Sequence, residues 1–198
     1  MGFESNSISI PFHWSGGILA ITIVVSIILV GTGFYIASLN WPTVMLWLKY
    51  LLIIVFFIAI IVGVGYMPIR LKADNGKIMV KNLFGSPQIL LSEVVEVVRI
   101  SKSDINGSIK TFGSDGFFGY IGRFRNNKLG NYSMYVTDMN NLILVRTGNK
   151  KYVFSCSRPQ EFVEFVNLQL KRGLIYLINL VFKIWLYLKK KVFFRKEH

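Results

Sequence analysis

The pattern of apolar and polar positions changes abruptly near Pro68. Before it, residues 17–39 and 44–66 form two apolar runs separated only by Asn40-Trp41-Pro42-Thr43. Each run exceeds the roughly 20 apolar residues that carry a helix across a bilayer core. Together they predict a transmembrane hairpin over 17–66, preceded by an N-terminal segment, 1–16. Thr22, Ser26 and Thr32 punctuate the first run. Such hydroxyls bond backbone carbonyls or a partner helix. Gly31 and Gly33, with Gly63 and Gly65 in the second run, are expected to let the two helices approach closely. Neither run contains an acid or a His, so neither offers a carrier for an ion or proton path.

After Pro68 the period becomes that of strands. They are expected over 67–73, 77–83, 87–91, 94–101, 132–137, 142–146 and 152–156. Asp74-Asn75-Gly76 predicts a type I′ hairpin turn, because Asn and Gly tolerate positive φ. Residues 138–141 and Gly148-Asn149 carry further hairpin signals. Ser157 and Gln160 fit a capping box, with Pro159 tolerated in the first turn. Phe162, Val163, Phe165, Val166 and Leu170 then make an apolar helical stripe.

Several patches recur in an order that resembles the bacterial PH-like domain family. They are Thr111-Phe-Gly-Ser-Asp-Gly-Phe-Phe-Gly-Tyr-Ile-Gly-Arg-Phe-Arg-Asn-Asn-Lys-Leu-Gly130, Tyr135-Val-Thr-Asp138, Leu142-Ile-Leu-Val-Arg-Thr147, Tyr152-Val-Phe-Ser155 and Pro159-Gln-Glu-Phe162. The resemblance covers residues 67–172. It implies a PH-like β-barrel of seven strands, plugged at one end by the C-terminal helix. It also implies a bacterial membrane protein that binds lipid headgroups or proteins rather than catalysing a reaction. The expected fold class is thus α+β: a transmembrane hairpin, a PH-like barrel with its helix, and a basic amphipathic tail over 173–198.

Charge sharpens the picture. The chain of 198 residues has a net charge of +13 and 53% hydrophobic residues, with a mean hydropathy of +0.48. Residues 1–48 contain no Lys or Arg, whereas the tail from Lys171 to His198 holds eight against one acid. The connection between the two runs offers only Lys49, and the segment after Tyr66 offers Arg70, Lys72, Lys77 and Lys81. Basic flanks stay on the cytoplasmic side. The C-terminal domain is therefore expected in the cytoplasm, on the inner membrane of a bacterium by the family resemblance. His13, Trp14, Trp41, Trp47 and Tyr66 mark the interfaces. Asn6 stands where a myristoylation signal needs Ser or Thr, and no basic n-region marks a signal peptide.

Within the tail, Arg172, Tyr176, Asn179, Lys183, Tyr187 and Lys190 recur at spacings of four and three, one polar stripe on an otherwise apolar helix. Such a helix suits the plane of the lipid interface, or docks into a partner membrane protein or its own spans. Lys183, Lys189, Lys190, Lys191, Arg195 and Lys196 would add attraction to anionic headgroups of about 1 kcal/mol per charge. Its apolar face is too continuous for a nucleic-acid-binding arm.

Gly113, Gly116, Gly119 and Gly122 fall every third residue in what reads as a long loop, followed by Arg123, Arg125 and Lys128. Two readings stand side by side. In one, Phe117, Phe118 and Tyr120 tuck inward under a packed loop. In the other, the aromatics enter the bilayer or a partner while the basic residues hold phosphates. A nucleotide P-loop is unsupported, since no Gly-Lys-Ser or Gly-Lys-Thr occurs. Cys156, the single cysteine, reads as a small core residue. No carboxylate pair, triad or His/Cys cluster points to catalysis, to a cofactor or to a metal. Two functions follow as expectations: a membrane-anchored module that recruits a protein or contacts anionic lipid, or an accessory subunit assembled through the hairpin, with a membrane protein or a second copy as partner.

Overall fold

The computed structural model describes residues 7–194, with side-chain surroundings through Leu186. Residues 1–6, Arg195 and Lys196 lie outside it, as do the side chains of Tyr187, Lys189, Lys190 and Lys191.

The described residues open with strand β1 (Ser7–Pro11), in the segment where the sequence predicts no element. Helix α1 (Gly16–Ser38) follows, capped by the Ser15 hydroxyl, which accepts from the Ile18 amide. A 3-10 turn at Thr43–Met45 leads into α2 (Leu46–Tyr66). Lys49 at the start of α2 donates to the carbonyls of Ala37 (2.6 Å) and Leu39 (3.0 Å). It thereby satisfies acceptors that the end of α1 leaves without intrahelical partners.

Ten strands follow the pattern of two sheets. β1, β2 (Arg70–Asp74), β3 (Lys77–Lys81) and β4 (Gln88–Leu90) form an antiparallel meander. The second sheet holds β5 (Val94–Ile100), β6 (Ile109–Gly116), β7 (Gly119–Asn126), β8 (Gly130–Val136), β9 (Leu142–Thr147) and β10 (Lys151–Ser155). Their order is β5-β9-β10-β8-β7-β6. Where seven strands in a PH-like barrel are expected, the described residues hold ten, in a four-stranded and a six-stranded sheet. A 3-10 turn at Leu91–Glu93 separates β4 from β5, and β6 remains an edge.

Local expectations fare unevenly. β2 and β3 pair as anticipated, but neither Asn75 nor Gly76 is left-handed. The Asp74 carboxylate makes the turn instead, accepting from the Gly76 and Lys77 amides. Residues 138–141 turn the chain without making a hairpin, because β10 inserts between β9 and β8 and runs parallel to β8. The anticipated loop over 111–130 is mostly the β6–β7 hairpin. Gly113 and Gly122 face each other there at φ of +113° and +135°. A Cβ on either would sit 2.1 Å from the carbonyl oxygen of a residue on the opposite strand.

The main core lies between the two sheets and is closed by helix α3 (Pro159–Phe194), whose Phe162 and Val166 are fully buried with Phe154 and Ile143. A second core on the far face of the larger sheet gathers Phe124, Tyr132, Met134 and Leu144 under Ile105 and Leu129. Gln160 bonds Glu164 at 2.7 Å, so its amide faces along α3 rather than back to a cap. A capping box does form elsewhere, between Ser101 and Asp104. The helix runs without a break through Gly173, so the tail is a continuation of α3 and not a separate element.

Candidate functional site

The end of the domain nearest the two apolar helices is built from three contacts. The first is the tip of the β6–β7 hairpin. Phe118 takes φ 58° and donates its amide to the Thr22 hydroxyl of α1 at 3.0 Å. Its ring, 8% exposed, lies over Gly63 of α2, where a Cβ would come within 2.4 Å of it. The Phe117 ring lies beside it at a tilt of 60°, centroids 4.6 Å apart.

The second contact is the loop after β3. The amides of Leu83 and Phe84 both donate to the Gly65 carbonyl in the last turn of α2, at 3.1 and 3.0 Å. The Phe84 ring covers Gly65 and meets Tyr66 edge-on. Leu83 and Phe84 remain 64% and 56% exposed, an apolar ledge beside the helix end. Gly63 and Gly65 thus seat domain aromatics, which corrects the expectation that they serve helix–helix packing. Gly31 meets nothing within 4 Å, and Gly33 only the Phe56 ring at 4.0 Å.

The third contact anchors α1. The Ser15 amide donates to the Thr137 carbonyl, and the Thr137 hydroxyl donates to the His13 carbonyl at 2.7 Å. The Ser155 hydroxyl accepts from the amides of Thr137 and Asp138. The Asp138 carboxylate, nearly buried, receives Asn141 at 2.6 Å and faces His13 at 3.2 Å.

The sequence-derived basic residues do not converge. Arg123 and Arg125 point from one exposed face of β7, with Phe112 and Ile109 opposite them on β6. Arg123 lies close enough to act on Tyr135, whose phenol is raised by burial first and by Tyr152 second, with Arg123 opposing. Lys128 is on the turn at the far end of β7, about 30 Å of strand from the Phe118 tip. There it pairs with Asp104 at 3.4 Å. The Ser101 amide, then its hydroxyl, hold that carboxyl below its usual range, with Lys128 a lesser contributor. Tyr120 is half-buried near the start of β7 and packs on the second core. Phe118 is tucked, but against the two apolar helices rather than the sheets.

Lys183 lies on the exposed distal half of α3 with Leu174, Leu177, Ile178 and Val181, all solvent-facing among the described residues. Cys156 is fully buried, and burial pushes its thiol up to about 11, so it stays protonated at neutral pH.

Residues 69–170 match the family model of the bacterial PH domain. The chain belongs to that family. Comparison with curated proteins and with solved structures found no match. The PH domain so defined begins just after α2 and ends within α3 at Leu170, so both apolar helices and the distal half of α3 lie outside it. PH-like domains are in general binding modules rather than enzymes, and the core position of Cys156 accords with that.

The sequence reading missed three parts of this site. Thr22 reads like any hydroxyl in an apolar helix, and Leu83-Phe84 like the end of a strand. Arg70 and Lys81, which border the second contact, read from the sequence only as orientation signals. The turn at residues 74–76 already implied that they face each other across β2 and β3.

Proposed function

We propose that this protein is a non-enzymatic binding or scaffold module anchored in the bacterial inner membrane. Its PH domain would lie on the cytoplasmic face, where it recruits a protein or contacts anionic lipid. The observation that carries the reading is the exposure of both apolar helices. Of the most apolar stretch of each, 11% of α1 and none of α2 is buried. A core helix of a soluble domain would be mostly covered, whereas these leave their side chains to a surrounding solvent. At 1.5 Å per residue each is more than about 30 Å long, the thickness of a hydrocarbon core. The uncovered apolar face of α3 and its lysines support an interfacial role for the tail. Among the basic residues of the hairpin, Arg123 is closest to the helix ends, while Lys128 is engaged with Asp104.

The test is a gentle-detergent purification of the full-length protein with mass spectrometry of retained proteins and lipids. Enrichment of anionic lipid, or of a substoichiometric protein client, is expected. A protein that leaves the membrane on alkaline carbonate extraction would overturn the anchoring.

A second reading, an accessory subunit of a larger membrane assembly, is favoured by Gly31, which sits open on α1. Small residues at helix surfaces let another helix approach closely. A stoichiometric membrane partner lost on Gly31→Leu would favour it.

A further inference from the structure

We infer that Arg70 and Lys81, with Lys72 beside them, form a phosphate-binding site for an anionic phospholipid headgroup at the exit of α2. The site rests on the membrane reading above and goes beyond it, because these residues lie away from the hairpin and tail contacts already considered.

Arg70 and Lys81 are direct cross-strand partners in the β2–β3 ladder, so their side chains leave the same face of the sheet. Both are exposed, and the alternating residues Leu71 and Val80 point into the core. Lys72 stands two residues along on the same face, opposite Met79. Like charges directly opposite each other destabilise a sheet pair. A protein that places two there, with a third on the diagonal, gains if an anion bridges them. No ion pair among the described residues supplies it: the four recorded pairs involve His13, Lys128, Arg146 and Arg158. The nearest acid along β2 is Asp74, and its carboxylate is taken by the turn amides of Gly76 and Lys77.

Position chooses the source of the phosphate. Lys81 is two residues, about 7 Å of strand, from Leu83, whose amide bonds the last turn of α2. Arg70 follows the end of α2 by four residues, and its neighbour Ile69 donates to the Lys81 carbonyl at 2.8 Å. The cations therefore lie within a few residues of the helix end, where headgroups would surround a spanning helix. Leu83 and Phe84, two and three residues beyond Lys81, give an acyl chain an exposed apolar ledge beside the end of α2. A guanidinium beside an ammonium suits a phosphodiester, with a planar fork for two oxygens and a point charge for the rest.

The test uses the full-length protein in mild detergent, titrated with phosphatidylglycerol or phosphatidylcholine and read by native mass spectrometry. The variant is Arg70→Gln/Lys81→Gln, with Lys102→Gln/Lys110→Gln as a control of equal charge loss away from the site. The expected result is preferential retention of phosphatidylglycerol, weakened about tenfold in the first variant and unchanged in the control. Thermal unfolding guards against a folding artefact: removing two facing cations should leave the melting temperature equal or higher. Equal phosphatidylglycerol retention by variant and wild type would overturn the site while leaving the anchoring intact. Displacement by millimolar inorganic phosphate would overturn the lipid assignment in favour of a soluble phosphate ligand. Release of the wild type by alkaline carbonate would overturn the membrane reading itself, and the site with it.

Discussion

Phe118 is the single non-glycine residue with a left-handed backbone among those described. That conformation costs a side-chain-bearing residue about 1–2 kcal/mol. The offset is visible: a buried amide bonded to Thr22 and a ring seated on Gly63. Thr22→Val keeps the volume but strands the amide, for a loss of about 1–3 kcal/mol. Gly63→Leu drives a side chain into the ring and should cost a similar amount through overpacking, about 1–3 kcal/mol. Gly31→Leu, facing open space, should leave the isolated protein's stability unchanged. Thermal unfolding of the three variants in one detergent checks the order. Equal melting temperatures throughout would mean that the hairpin tip is not fastened to the helices.

Among the elements, the distal half of α3 carries the clearest separable prediction. Phe162 and Val166 close the main core, whereas residues 174–186 are exposed and belong to neither core cluster of the described residues. Truncation before Gly173 should therefore preserve cooperative unfolding of the PH domain and weaken retention of anionic lipid or partner. Circular dichroism melts and vesicle flotation read the two effects separately, and loss of the fold would place the distal half within the core. The same elements show what the sequence made legible. The two apolar helices, β2–β3, β9–β10 and the amphipathic start of α3 each depend on local periodicity and turn chemistry. β6 and β7 escaped because four glycines with positive φ erase the alternation that marks a strand. β1 does alternate Ile8 and Ile10 with Ser7 and Ser9, but five residues are a weak signal, and its partner β2 lies some sixty residues away. The break expected at Gly173 failed because an isolated glycine costs a helix only about 1 kcal/mol.

At the scale of the whole molecule, the three junctions tie both apolar helices to the PH domain, so under the membrane reading the domain and these helix ends lie on the same side. Orientation then depends on which end of the hairpin keeps its positive charge. Residues 40–45 carry no Lys or Arg, and Lys49 is already bonded to the carbonyls of Ala37 and Leu39. At the other end of the two helices, Arg70, Lys72, Lys77 and Lys81 follow α2 within fifteen residues, the range over which basic residues set topology in a spanning hairpin. The prediction uses single cysteines in a Cys156→Ser background. Thr43→Cys, in the connection, should react with a membrane-impermeant maleimide in intact cells. Asn149→Cys, in the β9–β10 turn of the domain, should react only after permeabilisation. The reverse pattern would put the PH domain outside the cell and remove the anionic cytoplasmic leaflet from its reach. Labelling of both sites in intact cells would mean that the hairpin does not hold one orientation. The labelling thus decides whether the unpaired cations at the exit of α2 face the leaflet on which the proposed lipid contacts depend.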